Sequence, residues 1–125
     1  MAVKHCMIDY ERELAIVVET DTDEQRHLIG VGQLITDLNH ETAEFAVIVP
    51  DPWQGKGVGG LLLDYCLELA ARWGISEVVA ETDPENMRML SLFHKRGFSS
   101  VVRREEDVVF LRKTLVNVDR AVVQV

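Results

Sequence analysis

No stretch of this chain is apolar for the roughly 20 residues that a bilayer crossing requires. The opening MAVKHCMIDYERE also lacks the apolar core of a secretory leader. A cytoplasmic protein without a membrane partner is therefore expected. Cysteine is scarce: Cys6 and Cys66 fit no metal-ligand spacing, and no metal is expected. Cys66 falls on the apolar side of a predicted helix and reads as a buried thiol. Positive charge is in deficit, with 13 Lys and Arg against 21 Asp and Glu and a net charge of −8. A nucleic-acid binder carries a basic face, so no nucleic-acid partner is expected. The negative balance suits a cationic partner such as an amine, and equally suits plain solubility. Repeats, low-complexity tracts and linkers are absent too. At 125 residues there is room for one core, so residues 1–125 read as a single domain.

The remaining residues fall into clear periods. ELAIVVET (Glu13 to Thr20), HLIGVGQLIT (His27 to Thr36) and ETAEFAVIV (Glu41 to Val49) are rich in β-branched residues and separated by short polar turns, which predicts an antiparallel meander. From Val58 the period changes: Val58, Leu62, Cys66, Leu69 and Trp73 recur at helical spacing opposite Asp64, Glu68 and Arg72, and Gly74 closes the helix. SEVVAET (Ser76 to Thr82) is a further strand, parallel to the third because a helix separates them. A second helix is predicted from Asp83 as N-cap and Pro84 as its first residue to Gly97. FSSVVRREEDVVFLRKTL gives two strands around an acidic turn near Glu105 to Asp107. The order β-β-β-α-β-α-β-β predicts an α/β or α+β domain with a sheet of mixed direction.

Four of the eight glycines fall between Gly55 and Gly60, just before the first helix. A glycine-rich loop feeding a helix binds phosphate, because free backbone N–H groups converge there and the helix dipole adds partial positive charge. A P-loop is excluded, since Lys56 precedes Gly57 and no hydroxyl residue follows. Gly55, Gly57 and Gly60 satisfy a dinucleotide fingerprint, and Glu81 ends the next strand where a ribose-binding acid would stand. That fold places the first glycine close behind its strand and needs several βαβ units. Here PDPWQ intervenes, and the chain has room for one unit. The third reading takes Gln54-Gly55-Lys56-Gly57-Val58-Gly59 as Gln/Arg-x-x-Gly-x-Gly/Ala, followed after a strand by Asn86, Leu92, Phe93, Gly97 and Phe98 as Asn-x₅-Leu-(Tyr/Phe)-x₃-Gly-Phe.

This pair of motifs, from about Glu41 to Phe98, resembles the GNAT (Gcn5-related) N-acetyltransferase superfamily. IDYERELAIVVE, AEFAVIVPDPWQGKGVG and PENMRMLSLFHKRGF look like the acetyltransferase domain of bacterial protein-lysine acetyltransferases. The resemblance implies a GNAT-like mixed sheet with a parallel pair at the coenzyme site. It implies acetyl-CoA as acyl donor and an amine as acceptor, with a protein lysine as the acceptor of the narrower group. Gln54, Gly55, Lys56, Gly57, Val58, Gly59 and Gly60 would hold the coenzyme's pyrophosphate, and Val47, Ile48 and Val49 would offer main-chain contacts to pantetheine and the thioester carbonyl. Pro50 and Pro52 fit an end to strand pairing, or merely a rigid loop. Asn86 would bond to pantetheine or support the helix start. Lys56, Arg88, Lys95 and Arg96 are candidates for the outer phosphate.

Glu44, ten residues before Gln54, stands where the family's lysine acetyltransferases place their general base. It interrupts an apolar strand, so burial is expected to raise its pKa; the competing reading is a solvent-facing strand residue. Phe93, also assigned to the coenzyme site, occupies a position where many relatives carry an acidic tyrosine. The thiolate then leaves unassisted or takes a proton from water. Tyr65 is read as packing, and His94 as pointing away from Phe93's side of the helix. A GNAT domain usually begins with a strand and one or two helices, and about twelve residues precede ELAIVVET here. Those missing helices would leave one sheet face bare. A homodimer is expected to cover it, with the edge near the start or the tail NVDRAVVQV contributing, unless residues 1–12 fold back over it. A non-catalytic acetyl-CoA-binding sensor or interaction module is the alternative function.

Overall fold

The structure is a computed structural model that describes residues 2–4, 13–22, 25–39 and 41–115, with side chains for 13–20, 27–39 and 41–115. Met1, residues 5–12 with Cys6 among them, and the tail from Val116 lie outside the described residues. Strands β1 (Ala2–Lys4), β2 (Glu13–Thr22), β3 (Gln25–Thr36), β4 (Thr42–Ile48), β5 (Glu77–Thr82), β6 (Ser99–Arg103) and β7 (Val108–Thr114) form one sheet in the order β1-β2-β3-β4-β5-β7-β6. Helix α1 (Val58–Arg72) connects β4 to β5, and α2 (Met87–Lys95) connects β5 to β6. The meander β2-β3-β4 is antiparallel and β4-β5 is parallel, so the mixed sheet read from the sequence is the fold the chain adopts. β1 is additional: three residues are too few to show a period.

Alternation along the strands assigns the two faces. Leu14, Ile16 and Val18 of β2 are buried and lie opposite Leu34, Gly32 and Gly30 of β3. Helix α1 lies on this face with Val58, Leu62, Leu63, Cys66 and Ala70 buried beneath it. The β3 glycines set how deep it lies: a Cβ on Gly30 would come within 2.6 Å of Val58 Cγ1. Helix α2 joins the same face, since Phe93 meets Phe45 of β4 edge-on at 6.0 Å between centroids and Phe98 at 4.9 Å. The other face presents Ala15, Val17, Val31, Ile35 and Ile48. No helix lies over it among the described residues, and Ile48 is 71 % exposed.

Both helices end on glycine in the left-handed region, Gly74 at φ 76° and Gly97 at φ 84°. Each end forms a Schellman turn, with Ile75 N–H donating to Ala70 O at 3.0 Å and Phe98 N–H to Phe93 O at 3.1 Å. The start of α2 corrects the sequence reading. Asp83 does not cap the helix. Its carboxylate accepts from Glu85 N–H at 2.8 Å and its carbonyl from Asn86 N–H at 3.0 Å, which closes a turn around Pro84. Asn86 is the cap, its side chain accepting from Met89 N–H at 3.2 Å. A short polar side chain at either position can satisfy a first-turn donor, and Asp83 spends its oxygens locally.

Candidate functional site

Strands β4 and β5 are paired only over Thr42, Ala43 and Glu44, opposite Glu77, Val78 and Val79. Beyond Glu44 they part, while β4 still pairs with β3 as far as Ile48 and β5 with β7 as far as Thr82. The parted ends leave backbone groups of β4 unpaired on the β5 side. The chain then turns through Asp51–Trp53, a single 3₁₀ turn, into the glycine loop. Gln54 braces that loop: its side-chain amide donates to Val49 O at 3.1 Å and to Asp51 Oδ1 at 3.0 Å.

Helix α1 begins at Gly57, whose φ of 88° and ψ of 1° are left-handed, with no side chain capping the first turn. The first intrahelical bond runs from Leu61 N–H to Gly57 O at 3.0 Å, so the N–H groups of Val58, Gly59 and Gly60 have no acceptor in their own helix. Nothing lies within 4 Å of a Cβ built on Gly57, so glycine is needed there for its φ and not for space. The starts of α1 and α2 converge on an open cleft of about 700 Å³. One wall is Val47, Val49, Trp53, Gln54, Gly55, Gly57, Gly59 and Gly60; the other is Glu85, Asn86, Met87, Arg88, Met89 and Leu92. Two helix N-termini, one of them uncapped, turn partial positive charge toward the cleft, and of its two charged side chains Arg88 stands beside Gly55 while Glu85 lies on the α2 wall. Shape and donors fit a diphosphate with an extended amphipathic arm.

Nine of the residues singled out in the sequence line this cleft: Val47, Val49, Gln54, Gly55, Gly57, Gly59, Gly60, Asn86 and Arg88. Five stand elsewhere. Ile48 points to the opposite sheet face, and only its backbone is available to the cleft. Val58 is buried against Gly30, so its N–H is what it can offer. Lys56 places its ammonium over the Trp53 ring at 5.0 Å from the centroid. Phe93 is in the core between Phe45 and Phe98, and packing is the contact it makes. Glu44 is exposed on the uncovered face, at the last paired position before the strands part. The burial expected for it is absent, because strand alternation turns Ala43 and Phe45 inward and Glu44 outward.

The other candidates for the outer phosphate divide. Arg88 lines the cleft, whereas Arg96 is engaged with Asp64 and Lys95 is not in the cleft lining. His94 Nε2 lies 3.0 Å from Ser100 Oγ. Trp53, Met87, Met89 and Leu92 were not singled out as site residues. The last three follow Asn86 on one short helix, and the signal available was their apolar character so close to a helix start. Burial pushes the Cys66 thiol up to about 12, which keeps it protonated and inert. Among the described residues no group of three or more His, Cys, Asp or Glu is arranged to hold a metal ion, and no helix is long and apolar enough to cross a membrane.

Comparison with known proteins follows the same geometry. A profile of the "Acetyltransferase (GNAT) family" matches residues 2–98. The chain is 37% identical over 60 residues to a putative phosphinothricin acetyltransferase, YwnH, of Bacillus subtilis, covering 48% of this chain and 37% of that protein. It is 26% identical over 100 residues to Acetyltransferase PA5475 of Pseudomonas aeruginosa, covering 80% of this chain and 53% of that one. It thus spans about half or less of the length of these curated relatives. Among solved structures, spermidine N-acetyltransferase from Vibrio cholerae in complex with CoA and spermine superposes with a TM-score of 0.69 at 24% identity, covering 83% of this chain and 66% of that one. At that identity the likeness speaks for the fold. With a profile that covers most of its length, a parted β4-β5 pair and a glycine loop at the head of α1, the chain belongs to the GNAT N-acetyltransferase family.

Proposed function

We propose that this domain transfers an acetyl group from acetyl-CoA to an amine, with a lysine side chain of a protein as the acceptor. The observation that carries the reading is the uncapped start of α1, which opens onto the cleft where β4 leaves β5. The amides of Val58, Gly59 and Gly60 hold the diphosphate, Arg88 adds charge, and Val47 and Val49 give the arm a strand edge to lie along. The coenzyme brings an activated thioester and a good leaving group. The chain's own contribution is to hold that group at the β4 edge and to manage one proton. Glu44 stands at the root of the parting on the uncovered face and takes the proton from the incoming ammonium, so the amine approaches from the side opposite the cleft. The negative charge of the chain favours a cationic acceptor, and the spermine bound by the V. cholerae relative is one. A second copy covers the apolar residues of the uncovered face on β2 and its neighbour, among them Val17 and Val31, and leaves the β4 edge with Glu44 open to the amine.

A second reading, a coenzyme-binding module without turnover, draws on the exposure of Glu44 and on Phe93, which offers no ionisable proton. One experiment separates them. Thiol release from acetyl-CoA is followed with lysine-containing peptides, spermine and a neutral alcohol as acceptors. The proposal expects release with an amine and none with the alcohol. Tight acetyl-CoA binding with no amine-dependent release across the panel supports the module.

A further inference from the structure

Asp64 and Arg96 form a two-point ion pair between the helices. Arg96 Nε donates to Asp64 Oδ1 at 2.7 Å and Nη2 to Oδ2 at 3.2 Å. The guanidinium is fixed from its own side as well, with Nη1 donating to Leu92 O at 3.0 Å. Its backbone is tied to the sheet, since Lys113 Nζ donates to Arg96 O at 2.6 Å. The position in the fold gives the pair its meaning. Asp64 is one helical turn beyond Gly60 and Arg96 one turn beyond Leu92, and Gly60 and Leu92, both in the cleft lining, pack against each other where the two helices meet. A Cβ on Gly60 would come within 2.7 Å of Arg96 Nη2, so this glycine leaves room for the guanidinium to cross.

We propose that Asp64 and Arg96 are positioning residues of the cleft: their pair holds the residue that closes α2 against the second turn of α1, and through that short helix sets the separation of the cleft walls and the fit of the coenzyme. The inference rests on the reading of the cleft as the acetyl-CoA site. A role in stability alone does not account for the arrangement. Arg96 is 21 % exposed and Asp64 59 %, so the carboxylate stays in water and the pair's contribution to stability is modest. What a bidentate arginine–carboxylate pair adds is a fixed geometry between two elements. Arg72 and Glu68 provide the contrast: they lie on α1 alone, are 70 % and 59 % exposed, and join nothing to α2. The assignment also takes Arg96 out of the set of phosphate-binding cations.

The test is calorimetric titration of the full chain with acetyl-CoA for the parent, Asp64→Ala, Arg96→Lys, the double variant and Glu68→Ala, each with a thermal melt. Lysine keeps the charge at position 96 and loses the fork. Each single change is expected to weaken binding about tenfold, and the double variant to be no weaker than the singles, because one shared contact is lost in all three. Glu68→Ala should bind as the parent does. Unchanged affinity in Asp64→Ala overturns the proposal. So do losses that multiply in the double variant, or losses that track melting temperature across the whole set. A parent that does not bind acetyl-CoA overturns the coenzyme reading itself, which is a different result.

Discussion

Gly30 offers the sharpest test of how the sheet places the loop helix. Replacing it with alanine adds one methyl group to a strand facing the first turn of α1. That Cβ would lie 2.6 Å from Val58 Cγ1 and 3.0 Å from Leu62 Cδ1. Carbon atoms in contact prefer about 3.5–4.0 Å, so the helix start must rise by about 1 Å. Neither neighbour can swing away: both are buried, and valine in a helix holds one rotamer. Overpacking of this kind costs about 1–3 kcal/mol. Gly32 is the internal control on the same strand and the same face. Its Cβ would meet Leu62 Cβ and Cδ2 at 3.3 Å and Cys66 Sγ at 3.5 Å, which asks for only a few tenths of an ångström. Gly30→Ala should therefore lower the urea midpoint clearly more than Gly32→Ala. It should also weaken acetyl-CoA binding, because the turn that rises carries the free amides. Equal midpoints for the two variants, or an unshifted midpoint in Gly30→Ala, would refute the seating of α1 described above.

Further outcomes are expected from the site and the core. Gly57→Ala forces a side chain to φ 88°, which costs about 1–2 kcal/mol with no clash to relieve, so denaturation should show a loss of that size and an unchanged m-value. Glu44→Gln should keep acetyl-CoA affinity and lower amine-dependent turnover by about 10²-fold or more; parental turnover with a true acceptor would make Glu44 a surface residue only. Cys66 should resist alkylation at pH 8 in the folded chain and react in urea, read by peptide-resolved mass spectrometry so that Cys6 is counted separately. Because its folded pKa is raised from 9.0 to about 12, the stability linked to Cys66 is present below pH 9 and is lost as pH climbs toward 12. Light scattering at micromolar concentration should give the mass of two chains, and a stable single-chain mass would exclude the second copy as the cover of the open face.

The strands, both helices and the glycine loop were legible because each is a local pattern. Alternation, a 3.6-residue period and glycine closures at Gly74 and Gly97 need no knowledge of the rest of the chain. The places where reading and structure part are those decided by distant contacts. AEFAVIV shows alternation but not which face will be covered; α1 and Phe93 settle that from elsewhere in the chain, and they turn Phe45 in and Glu44 out. Phe93 belongs to a motif, yet its surroundings come from Phe45 of β4 and from Phe98 just before β6, so it packs where a coenzyme contact is expected from the sequence. Arg96 looked like one more free cation until Asp64, 32 residues earlier, came beside it. Asp83 and Asn86 are both competent caps, and the turn around Pro84 decides between them. Trp53, Met87 and Met89 become cleft walls only when two helix starts converge.

Gly59→Glu addresses the central claim, that the free amides at the start of α1 hold the coenzyme's diphosphate. A Cβ on Gly59 would lie 3.4 Å from Leu92 Cδ1 and 3.7 Å from Met89 Sδ, so the fold can accommodate it. A carboxylate in the first turn of a helix is favourable to the helix itself, while it occupies the cleft with the wrong charge for a phosphate. The measurement is calorimetric titration of acetyl-CoA into parent and variant, with a melt of each. Saturable binding to the parent, no detectable binding to Gly59→Glu, and a melting temperature that is unchanged or higher are expected. Parental affinity in the folded variant would contradict the claim.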